Sequence, residues 1–282
     1  RYAGCIIEGV KVMESPSFIK DHLNAIGINP INNVVDVTNF VLFETGNPLH
    51  AFDYDLISNH KLIVKKSQDL KNFTKIDGKD IKLNDDLIIS DSDKPLCLAG
   101  IIGGKESSVT SETKNIFLES ASFNSSLIRS SSKKHSIQTD ASYRFERGVD
   151  YNNCVYALQR AALLIKQLLP ESKISSEIVS CSNKNYTSKK TINWSFKKFN
   201  KITGQIIPKE IVEKILFDLD FEILNNGALV EGCTISVPSF RFDVIRDVDV
   251  FEEILRIYGY EKIENAKNIS LPVSKNKNSY FE

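Results

Sequence analysis

The clearest period in the chain runs over residues 33–45. Val34, Val37, Val41 and Leu42 recur at helical spacing behind Asn32 and Asn33, either of which can cap a helix. Gly46 and Pro48 then supply the stop. Thr38 and Asn39 interrupt the apolar run, and His50 follows just past the stop, in PLHAFD, at a helix-to-loop turn. A buried hydroxyl, amide or imidazole left without a partner costs about 1–3 kcal/mol. These three side chains therefore either satisfy the local backbone or line a small polar pocket, and the pattern leaves both open.

The rest of the chain alternates short strands with amphipathic helices. Residues 2–13 are rich in Ile and Val and predict a strand, followed by a helix over 17–25. Strands follow at 61–66 and 87–90, with a hairpin around Asp77–Gly78 between them. NIFLESASF, residues 115–123, reads as a buried strand with Glu119 set among apolar neighbours. Carboxylates are rarely buried without a partner, which makes Glu119 the most informative residue in the chain. A helix over 125–132 leads into KKHSIQTDASYRFERGVD, where Thr139 and Ala141 lie. Val155, Leu158, Ala162, Ile165 and Leu169 form one face of a helix over 151–169, ended by Pro170, and 175–180 predicts a closing strand. The pattern gives an α+β chain with a layered first domain at 1–182 and a polar linker at 183–188. A small second domain spans 189–262, with helices at 208–219 and 247–258 and strands at 221–224 and 234–238. Residues 263–282 read as a linker.

Between the strands lies LCLAGIIGG, with Ala99, Gly100, Gly103 and Gly104 crowded together. Glycine at that density serves positive φ or close approach of another group to the backbone. No GxxxxGK[ST] pattern is present, so a phosphate loop is a poor match. Lys and Arg together number 36, as do Asp and Glu, so no global field draws the chain to nucleic acid or to a membrane. A lysine run, Lys184 to Lys201, is interleaved with Tyr186, Trp194, Phe196 and Phe199. It reads as a solvated segment running into a helix with its aromatics turned inward, ahead of a nucleic-acid surface. The five cysteines are scattered without a CxxC pair, which fits a reducing cytosol. The chain starts at Arg1 and has Met13 as its single methionine, and is read as part of a longer polypeptide.

Four irregular stretches, VVDVTNFVLFETGNPLHAFDYD, LAGIIGG, FLESASF and HSIQTDASYRFERGVD, occur in an order that resembles the bacterial phenylalanyl-tRNA synthetase beta subunit. SVPSFRFDVIRDVDVFEEILRIYGYEKI resembles the domain that follows in that subunit. GVDY departs from the family, which usually has proline after the aspartate. The resemblance implies an editing domain that hydrolyses tyrosine wrongly attached to phenylalanine tRNA, followed by a small winged-helix-like domain. It implies a pocket of Thr38, Asn39, His50, Ala99, Gly100, Gly103, Glu119, Thr139 and Ala141. Tyrosine and phenylalanine differ by one hydroxyl, so Glu119 is assigned the phenol. Ala99, Gly100, Gly103 and Ala141 are assigned to make room for its ring. Thr38, Asn39 and His50 are assigned the ester and its water, with His50 a general base near its ordinary pKa of about 6.5. A non-catalytic structural or RNA-binding module is the alternative.

The resemblance also implies an alpha-subunit partner in a two-alpha, two-beta assembly, phenylalanine tRNA, and ATP used by the full enzyme but not bound by this chain. Membrane and DNA roles are not expected. Asp249, Glu252 and Glu253 stand at i, i+3 and i+4 with Asp243 upstream. The family places a magnesium site shared with the alpha subunit there; an acidic helix N-terminus favoured by the dipole is the other reading. Arg144-Phe145-Glu146 mimics an arginine–acid motif of synthetase active sites and is read as structural salt-bridging.

Overall fold

The computed structural model describes residues 1–67, 71–183, 188–224 and 232–263. It divides into two compact units, Arg1–Ser188 and Lys189–Glu282. Most of the polar linker at 183–188 and nearly all of the tail from 263 lie outside the described residues, as do Lys184 and Tyr186 of the lysine run.

The first unit runs β1 (Tyr2–Glu8), α1 (Ser17–Ala25), α2 (Asn33–Thr45), β2 (Leu49–Asp53), β3 (Ile63–Lys66), β4 (Lys71–Thr74) and β5 (Asp80–Leu83). It continues with β6 (Leu87–Ser90), β7 (Pro95–Leu98), β8 (Ile102–Gly103) and β9 (Ile116–Ala121). It closes with α3 (Ser125–His135), α4 (Asp140–Phe145), α5 (Asn153–Leu168), β10 (Lys173–Ile174) and β11 (Val179–Cys181). The main sheet has the antiparallel order β10-β1-β9-β2, with β11 also pairing β1. Strand alternation sends Ala3, Cys5, Ile7, Ala51, Ile116 and Leu118 to one face, where α2 and α5 cover them. The other face carries Tyr2, Phe52, Phe117 and Ala121, which pack with a smaller sheet of order β3-β6-β7-β8 and with Phe123 and Phe145. The main sheet therefore separates two apolar clusters, and β9 reads as apolar on both faces because it is buried on both.

The period over 33–45 forms α2 as expected. Asn32 caps it, its Oδ1 accepting the Val34 and Val35 N–H groups at 3.1 and 2.9 Å, and Gly46 ends it in the left-handed region at φ 75°. What the sequence reading placed as a loop after the stop is β2. Leu49 and Ala51 face the helical cluster while His50 and Phe52 face the other, a period of two too short to stand out beside the helix.

The second unit comprises β12 (Lys190–Trp194), α6 (Phe196–Thr203), α7 (Lys209–Asp218), β13 (Glu222–Ile223), β14 (Cys233–Val237) and α8 (Asp247–Tyr258). Its strands pair antiparallel in the order β12-β14-β13. Trp194, Phe199 and Phe251 cluster in its core with Phe196 packed against them, so the described aromatics of the lysine run turn inward while Lys197, Lys198 and Lys201 stay exposed. β12 itself is absent from the sequence reading. The α+β class is as expected, with the second unit built of helices and a three-stranded antiparallel sheet.

Replacing Asn32 by alanine strands two N–H groups at the start of α2, the helix from which the chain enters β2. Thermal unfolding of Asn32→Ala should show a loss of about 1 kcal/mol; an unchanged midpoint would mean that the cap contributes nothing.

Candidate functional site

Glu119 is 4 % exposed and lies in the middle of β9. Its cross-strand neighbours are Gly4 on β1 and His50 on β2, so the three share one face of the sheet. Gly4 brings no side chain, and Tyr2, two residues earlier on the same face, reaches diagonally across. The Tyr2 hydroxyl donates to Glu119 Oε2 at 2.9 Å. Among the described residues Glu119 Oε1 has no hydrogen-bond partner, and it is not among the fully enclosed unpaired atoms. Gly4 is obligatory here: a Cβ on it would fall 2.1 Å from Phe117 Cζ. Tyr2 also lines a cleft of about 660 Å³ together with Phe123, Leu127, Leu87 and Val64.

Burial sets the electrostatics. It pushes the Glu119 carboxyl up to about 8, against the pull of the Tyr2 hydrogen bond. It also raises the Tyr2 phenol, with Glu119 adding to the effect, and the buried Cys97 thiol, again with a contribution from Glu119. His50 packs edge-on against Phe52 at 4.5 Å between ring centroids, and the desolvated ring is pushed down to about 4. That corrects the expectation of an ordinary imidazole. At neutral pH His50 is uncharged and a weak base, better suited to orienting a water or an ester than to taking its proton.

The glycine segment turns at Gly100, φ 66°, where a Cβ would fall 2.8 Å from Phe145 and 3.0 Å from Phe123. At Gly103 a Cβ would fall 2.8 Å from His50 Cε1. The space left by Gly100 and Gly103 is thus taken by the protein's own rings, a correction to its assignment to a ligand ring. Ala99 is fully buried in the same cluster, and Ala141 packs against that cluster from α4. Thr139 caps α4 and its hydroxyl donates to the Ile101 carbonyl at 2.9 Å, tying α4 to the glycine segment. Glu119, His50, Ala99, Gly103, Thr139 and Ala141 consequently surround one cluster, with Gly100 at its turn.

Thr38 and Asn39 come from a different element. They lie on α2, which packs on the opposite face of the sheet. The Thr38 hydroxyl donates to the Val35 carbonyl at 2.7 Å, so of the two readings it takes the local one. Asn39 is half-buried, and among the described residues no hydrogen bond joins either side chain to His50 or Glu119.

In the second unit the acids do not converge. Asp249 turns back over the start of α8, where its Oδ2 accepts the Ile245 and Arg246 N–H groups at 2.9 and 2.7 Å, and it pairs with Arg246 at 2.9 Å. Glu253 is buried between Arg241 at 2.8 Å and Arg256 at 2.6 Å, while Asp243 pairs with Arg241 at 2.6 Å. These arginines hold the Asp243, Asp249 and Glu253 carboxyls below their usual range, and Glu252 points to solvent. Among the described residues no group of acidic, histidine or cysteine side chains is placed to hold a metal ion. The four-carboxylate arrangement is corrected accordingly: arginines already neutralise the oxygens that a resident magnesium would need, and the donor set does not fit one. Arg144 and Glu146 likewise serve local pairs, with Asp140 and Arg147.

A model of the B3/4 domain matches residues 1–170, more than half of the chain. The chain belongs to the B3/4 domain family. A model of the tRNA synthetase B5 domain matches residues 192–260. The chain is 41 % identical over 266 residues to the phenylalanine--tRNA ligase beta subunit of Bacteroides fragilis strain YCH46, covering 94 % of this chain and 32 % of that one. It is 41 % identical over 264 residues to that of Protochlamydia amoebophila, covering 93 % and 32 %. A solved N-terminal fragment of the phenylalanyl-tRNA synthetase beta subunit from Pyrococcus horikoshii overlays with a TM-score of 0.43 at 16 % identity, covering 92 % of this chain and 71 % of that one. The chain spans about a third of the length of the curated relatives it matches. The resemblance carried by the four motifs is borne out.

The sequence reading missed Tyr2 in this B3/4 site. The signal was available: in YAGC the alternation puts Tyr2 and Gly4 on one face, and an empty position beside a long side chain lets that side chain lean. The contact between Gly103 and His50 gives a direct test. Gly103→Ala should displace the ring, change the His50 Cε1 proton shift and cost about 1–3 kcal/mol in thermal unfolding. An unmoved resonance would show that the glycine does not seat the imidazole.

Proposed function

We propose that this chain carries the editing site of a phenylalanine--tRNA ligase beta subunit, which hydrolyses tyrosine mischarged on phenylalanine tRNA. The observation that carries the reading is Glu119, a buried carboxyl group with one oxygen unpaired among the described residues, directly across the sheet from His50. A synthetic pocket that accepts phenylalanine rejects one added hydroxyl poorly, whereas a site built to hydrogen-bond that hydroxyl disfavours the analogue lacking it by up to roughly 10⁴–10⁵. Glu119 Oε1 accepts the phenol. His50, neutral at physiological pH, orients the ester and the attacking water, and positioning supplies most of the rate because an aminoacyl ester is already activated. Synthesis of the aminoacyl ester from ATP and phenylalanine belongs to an alpha subunit, with which the chain acts in a cytoplasmic heterotetramer. The designation of the relatives as beta subunits and the B5 match support an alpha-subunit partner.

Deacylation of tyrosyl- and phenylalanyl-tRNA by the full-length enzyme tests this. Glu119→Ala should slow tyrosyl-tRNA hydrolysis and shrink the preference toward the ~1–3 kcal/mol that shape alone gives. His50→Ala should slow both esters and leave the preference intact. Full tyrosine preference in Glu119→Ala would sink the assignment, and wild-type enzyme that spares tyrosyl-tRNA would leave a structural module.

The pH dependence follows from opposite charge types. Glu119 is charged above its pKa, so tyrosine preference should decline as pH falls through about 8. His50 is neutral above its pKa, so hydrolysis of either ester should lose its contribution only as pH falls toward about 4. Rate profiles on both esters separate the two; a shared midpoint between pH 6 and 7 would contradict both assignments.

A further inference from the structure

Glu119 already binds a phenol. Tyr2 presents the same chemical group that the proposed substrate would bring, and it takes Oε2 at 2.9 Å. A carboxylate has two oxygens, and this pairing leaves one of them for a second donor. We propose that Tyr2 is a specificity-determining positioning residue: its hydroxyl fixes the Glu119 carboxylate through Oε2, so that Oε1 alone is presented to the tyrosyl group. The inference rests on the editing reading above and names the residue that sets its selectivity.

Three features of the sheet support it. Gly4, opposite Glu119, leaves its side-chain position to the Phe117 ring, so β1 places no side chain of its own directly opposite the acid, and Tyr2 is the β1 side chain that hydrogen-bonds to it. A glutamate has three side-chain torsions, and an unanchored one samples several positions; a hydrogen bond from a rigid ring selects one of them. The donor also counts toward charge. The titratable groups that face Glu119 are the half-buried Tyr2 on β1 and His50 on β2 and the buried Cys97 on β7, and none of them is a cation at neutral pH. The Tyr2 hydroxyl is the interaction that favours the charged carboxylate against burial. Without it burial would keep the acid protonated to still higher pH, and its other oxygen would be a weaker acceptor over that range.

The test is deacylation by full-length enzyme carrying Tyr2→Phe, alone and together with Glu119→Ala, on tyrosyl- and phenylalanyl-tRNA across pH. Tyr2→Phe should reduce the preference for tyrosine by about tenfold or more at pH 8 and just above, where the acid of the parent enzyme is charged, the scale of one lost hydrogen bond to a charged group. The midpoint of the preference should move to higher pH. In the Glu119→Ala background Tyr2→Phe should have no further effect on preference, because the residue acts through that acid. An unchanged preference with an unchanged midpoint overturns the inference and leaves the editing reading standing. Equal losses on both esters in both backgrounds also overturn it, since they mark a purely structural tyrosine. Wild-type enzyme without tyrosyl-tRNA hydrolysis overturns both.

Discussion

The constraint on which the first unit depends is the register of β2 and β1 against β9. Strand periodicity is two, so a slip of one residue in either pairing would move every side chain to the other face. In the observed register Ile116 and Leu118 meet the helical cluster while Phe117 and Glu119 meet the smaller-sheet cluster. The apolar residues on the two faces enforce that choice, because Ala3, Cys5 and Ile7 on β1 and Leu49 and Ala51 on β2 would otherwise exchange places with Tyr2, Gly4, His50 and Phe52. The functional face is a consequence of packing on the opposite face. Glu119 is buried because the strand it occupies is pinned from both sides by residues that have no part in its chemistry.

That division explains what could be read from the chain. Local devices were legible: the Asn32 cap, the Gly46 stop, the α5 face and the inward aromatics of the second unit all follow from neighbours within a turn or two. So was the identity of Glu119 as the odd residue in an apolar strand. Partners distant in sequence were not. His50 looked like a loop residue because its strand pairs with β9, far along the chain. The glycines at 100 and 103 looked like room for a ligand because the rings that fill the space come from β2, the end of β9 and α4. Composition and spacing say that a close approach occurs, and only the fold says what approaches.

The acids of the second unit show the reverse failure. Arg246–Asp249 and Glu253–Arg256 are both i, i+3 pairs, a spacing that the sequence itself displays. Asp249 has a further local reason for its place, since it accepts two backbone N–H groups at the start of α8 where the helix dipole also favours a negative charge. Glu253 is buried between two guanidinium groups. A divalent cation would have to displace those partners, among them the half-buried Arg241, which pairs with both Asp243 and Glu253.

His50 and Glu119 face one another across β2 and β9, yet no ion pair joins them among the described residues. An imidazolium beside a carboxylate would ordinarily raise the one pKa and lower the other. Here the shifts run the opposite way, and both have the same cause: withdrawal from water disfavours each charge separately by more than their mutual attraction restores. The sheet therefore holds two groups that burial drives toward neutrality, with Tyr2 as the polar contact that offsets this for one of them. For the folded state the consequence has a definite sign. Glu119 with a pKa near 8 binds its proton more tightly than the unfolded chain does, so its contribution to stability is full below about 4.5 and is lost as pH rises through about 8. His50 does the converse, its contribution being full above about 6.5 and lost as pH falls through about 4. Between those limits the unit carries an uncompensated tendency of Glu119 to stay protonated. A second hydrogen-bond donor placed at Oε1 would offset that tendency as Tyr2 does at Oε2, since each donor favours the charged form that burial disfavours.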